Sequence, residues 1–154
     1  MNFDELNKSL PENCDCLEKS IEDLTHTYAR HFNKPTVRSQ DMLTKWEKYT
    51  NTNAFPKNLD LNDCVELCGL KGLSVDIWNE ESKEAVIQRY LKTFKIISPK
   101  NKNAILIFKL KLSAGKFRHT PREHDKFHYD FYKADGFTID LVEVIEFINL
   151  SDYL

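Results

Sequence analysis

The chain has 154 residues, of which 41% are hydrophobic and 30% are charged, and its formal net charge at pH 7 is −2. This composition is typical of a globular protein and excludes a disordered or low-complexity chain. No apolar run approaches the roughly 20 residues that a membrane helix requires, and the first ten residues carry two acids. We therefore predict one domain over residues 1–154, a cytoplasmic protein, and no membrane partner.

Charge is distributed unevenly along the chain. Residues 92–133 contain eleven Lys or Arg against three acids, whereas residues 134–154 contain five acids and no Lys or Arg. The simpler interpretation is that the two segments neutralise each other as neighbours in one fold. The alternative is that one of them offers a charged face to a partner of opposite charge.

The first half of the chain is predicted to be mainly helical. Apolar residues recur at spacings of three and four from Asn13 to Phe32, which predicts a long first helix. Further helices are expected from about Ser39, over residues 60–70 and from about Asn79 to Phe94. Between the last two, residues 73–78 alternate apolar and polar, as a short strand does, and Ile96 to Ser98 predict another brief strand.

The segment NAILIFKLKLS, residues 103–113, is the clearest strand in the sequence. One of its faces at period two is wholly apolar, and the other changes from Ile105 and Ile107 to Lys109 and Lys111. A helix would scatter both lysines among the apolar positions. This pattern therefore predicts a central strand that is buried on one face throughout and on both faces only at its start.

Two segments toward the C-terminus fit either a helix or a strand. Thr120 and Glu123 form a capping-box pattern around Pro121, which favours a helix over residues 121–133. The aromatic residues in that segment also alternate, so a strand from about Lys126 is the alternative. Residues 137–149 are rich in β-branched and aromatic residues, which favours a strand pairing with the central one over a helix. The predicted class is α+β, with N-terminal helices packed on a small, mainly antiparallel sheet.

Three histidines suggest a divalent-metal site. On a helix over residues 121–133, His124 and His128 stand four residues apart and share a face, and His119 lies just before the helix. With a carboxylate nearby, such a set is typical of a metal-dependent hydrolase or nuclease. The segment lacks the glutamate of the HExxH arrangement, and the simpler interpretation is a helix buried on Phe127 and Phe131 with ordinary flanking histidines. No cofactor is expected under that interpretation.

Four cysteines occur as a CxC pair, Cys14 and Cys16, and a CxxxC pair, Cys64 and Cys68. In a cytoplasmic protein they are expected to stay reduced. Four thiolates are able to bind zinc, but structural zinc sites usually use CxxC knuckles, which are absent here. We therefore expect Cys64 and Cys68 to be buried thiols on the apolar side of their helix.

A basic set with interleaved aromatic residues suggests a nucleic-acid-binding module as another alternative. Its members are Lys109, Lys111, Lys116, Arg118, Arg122 and Lys126. The simpler interpretation is a solvated sheet face whose lysines guard a strand against edge pairing. No recognition-helix or RNA-binding motif accompanies the set.

The sequence favours a protein-binding function over an enzyme. It contains no glycine-rich phosphate loop, no nucleophile elbow and no dinucleotide fingerprint. The size, the slight acidity and the charge segregation suggest a small module that binds another protein, such as an immunity-like or antitoxin-like inhibitor. The surface expected to meet a basic partner consists of the C-terminal acids Asp135, Asp140, Glu143, Glu146 and Asp152.

Overall fold

One six-stranded sheet organises the structure, a computed structural model that describes all 154 residues. Its strand order is β4-β5-β2-β1-β3-β6, and every pairing is antiparallel. The strands are β1 (Thr27–Phe32), β2 (Leu73–Trp78), β3 (Ala104–Leu110), β4 (Gly115–His119), β5 (His128–Lys133) and β6 (Val142–Asn149). The helices are α1 (Asp4–Asn7), α2 (Lys45–Thr52), α3 (Cys64–Lys71) and α4 (Lys83–Thr93). None of them is long and apolar enough to cross a membrane.

The α+β class and the strand in residues 103–113 are confirmed. That strand is β3, an interior strand between β1 and β6, and all its residues except Lys109 are buried. Leu106 and Phe108 face one core cluster, whereas Ile105 and Ile107 face another. On the face of β3 that carries Ile105 and Ile107, the next residue is Lys109. The change from isoleucine to lysine therefore marks where the apolar cluster on that face ends.

The sheet is strongly curled. The rings of Tyr28 on β1 and Phe117 on β4 stack with centroids 3.8 Å apart, although β5 and β2 lie between their strands. In a flat sheet three strand spacings would separate them by about 14 Å. The concave face encloses the largest core cluster, to which Val75 and Phe131 also belong. The same curl lets four residues, 111–114, connect β3 to β4 across the open side.

Two smaller apolar clusters cover the convex face. Helix α4 places Val86, Ile87 and Tyr90 against Ile105 and Ile107. At the other side, the cover consists of α1, α3 and the turn around Cys16. These elements place Leu6, Cys16 and Cys68 against Tyr132 of β5. The convex face is thus apolar at both sides, with a polar strip along β2 and β5 between the two clusters.

The predicted helix from Asn13 to Phe32 is wrong. Residues 11–26 form turns, and the chain then enters β1. The Asp23 carboxylate accepts hydrogen bonds from the backbone N–H groups of Thr25 and His26 and from the Tyr28 hydroxyl. Burial alone would raise the pKa of Asp23, but these bonds outweigh it and lower the pKa. A carboxylate bonded to its own following backbone favours a turn over a helix.

The predicted helix over residues 121–133 is also wrong, and the strand alternative is correct. Arg122 and Asp125 exchange both backbone hydrogen bonds, at 2.9 and 3.0 Å, which makes a tight turn between β4 and β5. The Thr120 hydroxyl lies 2.8 Å from Nδ1 of His128 and caps no helix. The alternating aromatic residues reflect strand β5 and its approach, where pairing with β2 and β4 outweighed the local capping signal.

The other elements differ from the predictions mainly at their ends. Residues 39–42 form a 3₁₀ turn, and α2 begins only after Thr44, whose side chain accepts from the Glu47 N–H. Helix α3 is capped by Asp63 and begins at Cys64. The strands at 73–78 and 142–149 are confirmed, and the latter pairs with β3 as predicted. Residues 96–98 form no strand, and Ile96 instead packs under α4.

The close approach of β4 to β5 gives a test of the curl. A Cβ at Gly115 would lie 2.1 Å from the Tyr132 carbonyl oxygen and 2.7 Å from Cε2 of Phe131. We expect Gly115→Ala to lower the free energy of unfolding by about 2 to 3 kcal/mol, measured by urea denaturation. Gly69→Ala is the matched control, because that site in α3 is open and alanine there should stabilise by about 0.5 to 1 kcal/mol. Equal effects of the two changes would contradict this packing.

Candidate functional site

Strand β6 is an open edge of the sheet. It pairs with β3 along one side and has no strand on the other. The opposite edge strand, β4, is partly covered, because Ile21 and Phe117 exchange two backbone hydrogen bonds of 2.8 Å across its outer side. An uncovered edge strand of eight residues presents unpaired backbone donors and acceptors to an extended segment of another chain.

A β-bulge sets which β6 side chains face the solvent. Val144 pairs with Phe108 and Glu146 pairs with Ile107, so Ile145 is the extra residue. The bulge resets the alternation, which lets Val142 and Phe147 both pack on the concave core while Glu143 and Glu146 project on the convex side. Val144 and Ile145 are 43% and 46% exposed. The edge therefore combines two carboxylates with two accessible aliphatic side chains.

Four of the five predicted acidic residues lie along this edge. Asp140 precedes β6 and Asp152 follows it, both exposed, with Glu143 and Glu146 between them. The fifth, Asp135, lies apart from β6 just after β5, where its carboxylate accepts hydrogen bonds from the N–H groups of Asp4 and Glu5 at the start of α1. It has a structural role in holding α1 to the end of β5.

The predicted basic set is not one continuous row. Lys109 lies on β3 directly opposite Glu143, so one pair of the charged segments does meet across strands. Lys116 and Arg118 lie on β4, at the far end of the strand order, and Arg118 donates to the carbonyl oxygen of Cys16. The others, Lys111, Arg122 and Lys126, are exposed in connecting segments.

The three histidines do not share a helix face, because the helix is absent. Nε2 of His119 donates to the Lys126 carbonyl oxygen at 2.8 Å, and His124 is exposed in the turn. His128 is buried, with Nδ1 2.9 Å from the Thr120 carbonyl oxygen. Their nitrogens form no convergent group with each other or with carboxylates. The metal prediction thus loses the spacing argument on which it depended.

A buried polar cluster on the convex strip was not predicted from the sequence. Asp76 on β2 is 1% exposed and accepts hydrogen bonds from Arg89 and from the Tyr90 hydroxyl. Nη2 of Arg89 also lies 3.0 Å from Oδ2 of Asp125. Burial raises the pKa of Asp125, and the hydrogen bond with Asp76 and the negative charge of Asp76 raise it further. The positive charge of Arg89 acts in the opposite direction and lowers the pKa. The arginine of α4 thereby joins the helix to two buried carboxylates.

His128 and Asp130 extend the cluster along β5. Burial, followed by the charge of Arg122, lowers the pKa of His128 to about 4, and its buried Nε2 has no hydrogen-bond partner. Burial raises the pKa of Asp130 to about 6, against the opposing effects of Arg122, Thr120 and Arg118, and its Oδ1 is also unpartnered. The sequence signal for this part of the cluster is the alternation of polar residues in HYDFYK, residues 128–133. In a strand, every second residue lies on the same face of the sheet, so His128 and Asp130 share a face.

All four cysteines meet beneath α3. They form the disulfides Cys14–Cys64 and Cys16–Cys68, and no cysteine is free. The expectation of reduced thiols is therefore not met in this structure. Each disulfide ties the turn at residues 14–16 to α3, about 50 residues later. Cross-links that close loops of this length restrict the unfolded chain and so stabilise the folded one.

The buried Asp130 predicts a specific pH dependence. Its pKa in the folded chain is about 6, above the usual value of 3.8, so its ionisation opposes folding as the pH rises from about 4 to 6. In Asp130→Asn this titration is absent. We expect the stability of the variant relative to the unmodified chain to increase by about 1 to 3 kcal/mol between pH 4 and pH 7, measured by urea denaturation.

The exposed change Asp140→Asn controls for the loss of one carboxylate. A relative stability of Asp130→Asn that does not change between the two pH values would show that Asp130 ionises freely in the folded chain.

No protein-family model, no curated protein and no solved structure matches this chain.

Proposed function

We propose that this chain is a protein-binding module that adds a basic, extended segment of another protein to the open edge of β6. The observation that carries the proposal is the uncovered eight-residue edge strand with Glu143 and Glu146 on it. In β-strand addition, backbone hydrogen bonds supply affinity, and side chains at alternate positions supply specificity. The cytoplasmic location and the inhibitor role predicted from the sequence stay predictions.

Charge favours a basic partner over a second copy of this chain. Residues 134–154 carry five acids and no Lys or Arg, so two copies paired along β6 would bring like charges together. A segment with lysine or arginine at alternate positions would instead place its cations near Glu143 and Glu146. The exposed Val144 and Ile145 offer apolar contact to the intervening side chains of such a segment.

The bulge at Ile145 limits the partner's register. A bulge increases local twist and displaces one residue from regular pairing. An added strand is therefore expected to pair continuously on one side of Ile145 and to interrupt its pairing there.

The test uses two synthetic peptides of equal length, one alternating lysine with valine and one alternating glutamate with valine. Binding is measured by fluorescence anisotropy at low and high salt, and the site is located by amide hydrogen exchange. We expect only the lysine peptide to bind, to protect amides of β6, and to bind more weakly in high salt. A lysine peptide N-methylated at every residue should not bind, because it has no backbone N–H donors on either edge.

Charge reversal on β6 provides the matched comparison. We expect Glu143→Lys with Glu146→Lys to slow association of the lysine peptide by about tenfold at low salt. The pair Glu12→Lys and Glu123→Lys changes the net charge equally at exposed positions away from β6 and should have a much smaller effect. Equal effects of both pairs, or protection of amides away from β6, would contradict the proposal. Dimerisation in sedimentation experiments would identify a second copy as the occupant instead.

A further inference from the structure

Cysteine sulfurs form the only convergent group of three or more potential metal ligands in the structure. The sulfurs of Cys14, Cys16 and Cys68 lie within 4.8 Å of one another. Sγ of Cys68 is 3.8 Å from Sγ of Cys14 and 3.9 Å from Sγ of Cys64, the two sulfurs of the neighbouring disulfide. In a tetrahedral zinc site with Zn–S bonds of about 2.3 Å, neighbouring sulfurs are about 3.8 Å apart. Two of the sulfur–sulfur distances between the two disulfides, both made by Cys68, already match that geometry.

We propose that these four cysteines bind one Zn²⁺ as a tetrathiolate site when the two disulfides are reduced. Two equivalents of a dithiol reductant supply four electrons and four protons and are themselves oxidised to disulfides. Each protein disulfide is thereby reduced to two thiols. Binding of Zn²⁺ to the four sulfurs then releases the four thiol protons to solvent. An oxidant such as a small-molecule disulfide, which takes up the four electrons as it is reduced to thiols, reverses the sequence. Formation of the two protein disulfides removes the four ligands and releases the ion.

Contacts other than the disulfides hold the two parts of the site together. Lys71 of α3 donates from Nζ to the carbonyl oxygens of Leu6 and Lys8. Leu6 also packs with Tyr132 in the apolar cluster that contains Cys16 and Cys68. Reduction therefore leaves α3 and the N-terminal segment docked on β5. Only the bonded pairs of sulfurs have to separate to admit the ion.

The surroundings suit a site of net negative charge. Four thiolates around Zn²⁺ carry a charge of −2, which nearby donors and cations stabilise. Cys64 is the first residue of α3, so the positive end of the helix dipole lies near its sulfur. Arg118 donates to the Cys16 carbonyl oxygen at 3.3 Å and Lys71 lies one turn beyond Cys68. Cys16 and Cys68 are buried, so the site excludes solvent on its inner side.

The absence of CxxC knuckles does not exclude this site. A CxxC knuckle supplies two thiolates from one turn of the chain. Here the CxC turn supplies two cysteine sulfurs, and one turn of α3 supplies the other two. Cys64 and Cys68 stand four residues apart and share a helix face, a spacing that also serves zinc ligands. The fold brings the pairs together across about 50 residues of chain, which no local spacing rule detects.

The experiment uses the full chain purified without a histidine tag, reduced with a phosphine under anaerobic conditions. It is incubated with zinc sulfate, passed through a desalting column and analysed by elemental mass spectrometry. We expect about one zinc per chain, which falls to near zero after oxidation with a disulfide-forming reagent. Cys68→Ser should lose the ion. His124→Ala should retain it, which separates the cysteine site from the histidine site predicted from the sequence.

Cobalt substitution tests the ligands without any variant. Co²⁺ added to the reduced chain should give the intense visible bands and the thiolate charge-transfer band of a tetrahedral sulfur site. A reduced chain that takes up no zinc, whether folded or not, would overturn it, as would a cobalt spectrum without thiolate bands.

Discussion

The strong curl of the six-stranded sheet sets the positions of the other elements. It brings Tyr28 and Phe117 into contact across two intervening strands and encloses the largest apolar cluster on the concave face. Because the strands wrap around this cluster, the short connection between β3 and β4 closes one side of the curl. The curl stops short of a closed barrel, so the sheet keeps two edges, of which Ile21 covers part of one.

The remaining edge and the convex face divide the polar chemistry of the molecule. On the edge, Glu143 and Glu146 are exposed to water and available to a partner. On the convex face, Asp76, Asp125 and Asp130 are buried between two apolar clusters, and only the first two reach Arg89. Buried carboxylates without full compensation oppose folding, which explains the raised pKa of Asp130. Apolar packing on both sides of the strip has to offset that penalty.

The cysteine cluster connects the least regular part of the chain to the sheet. Residues 11–26 contain no helix and no regular strand. Their position is fixed by the two disulfides, by the apolar cluster around Tyr132 and by the β-bridge between Ile21 and Phe117. A cross-link at this point, whether disulfide or metal, determines how firmly α1 and α3 are held on β5. The open edge at β6 and the cysteine cluster are formed by different strands of the sheet and share no residue.

From the sequence alone we could predict the α+β class, strands β2, β3 and β6, the pairing of β3 with β6, and the approximate places of α2, α3 and α4. These features follow from periodicity and composition, which are local properties of the chain. Two segments could be assigned only from the fold: residues 13–32 form turns and β1, and residues 121–133 form a turn and β5. In both segments, pairing with distant strands and buried hydrogen bonds outweighed a local helical signal. The meeting of the cysteines, the buried Asp76 cluster and the open edge of β6 likewise depend on contacts between residues far apart in sequence, which no local pattern encodes.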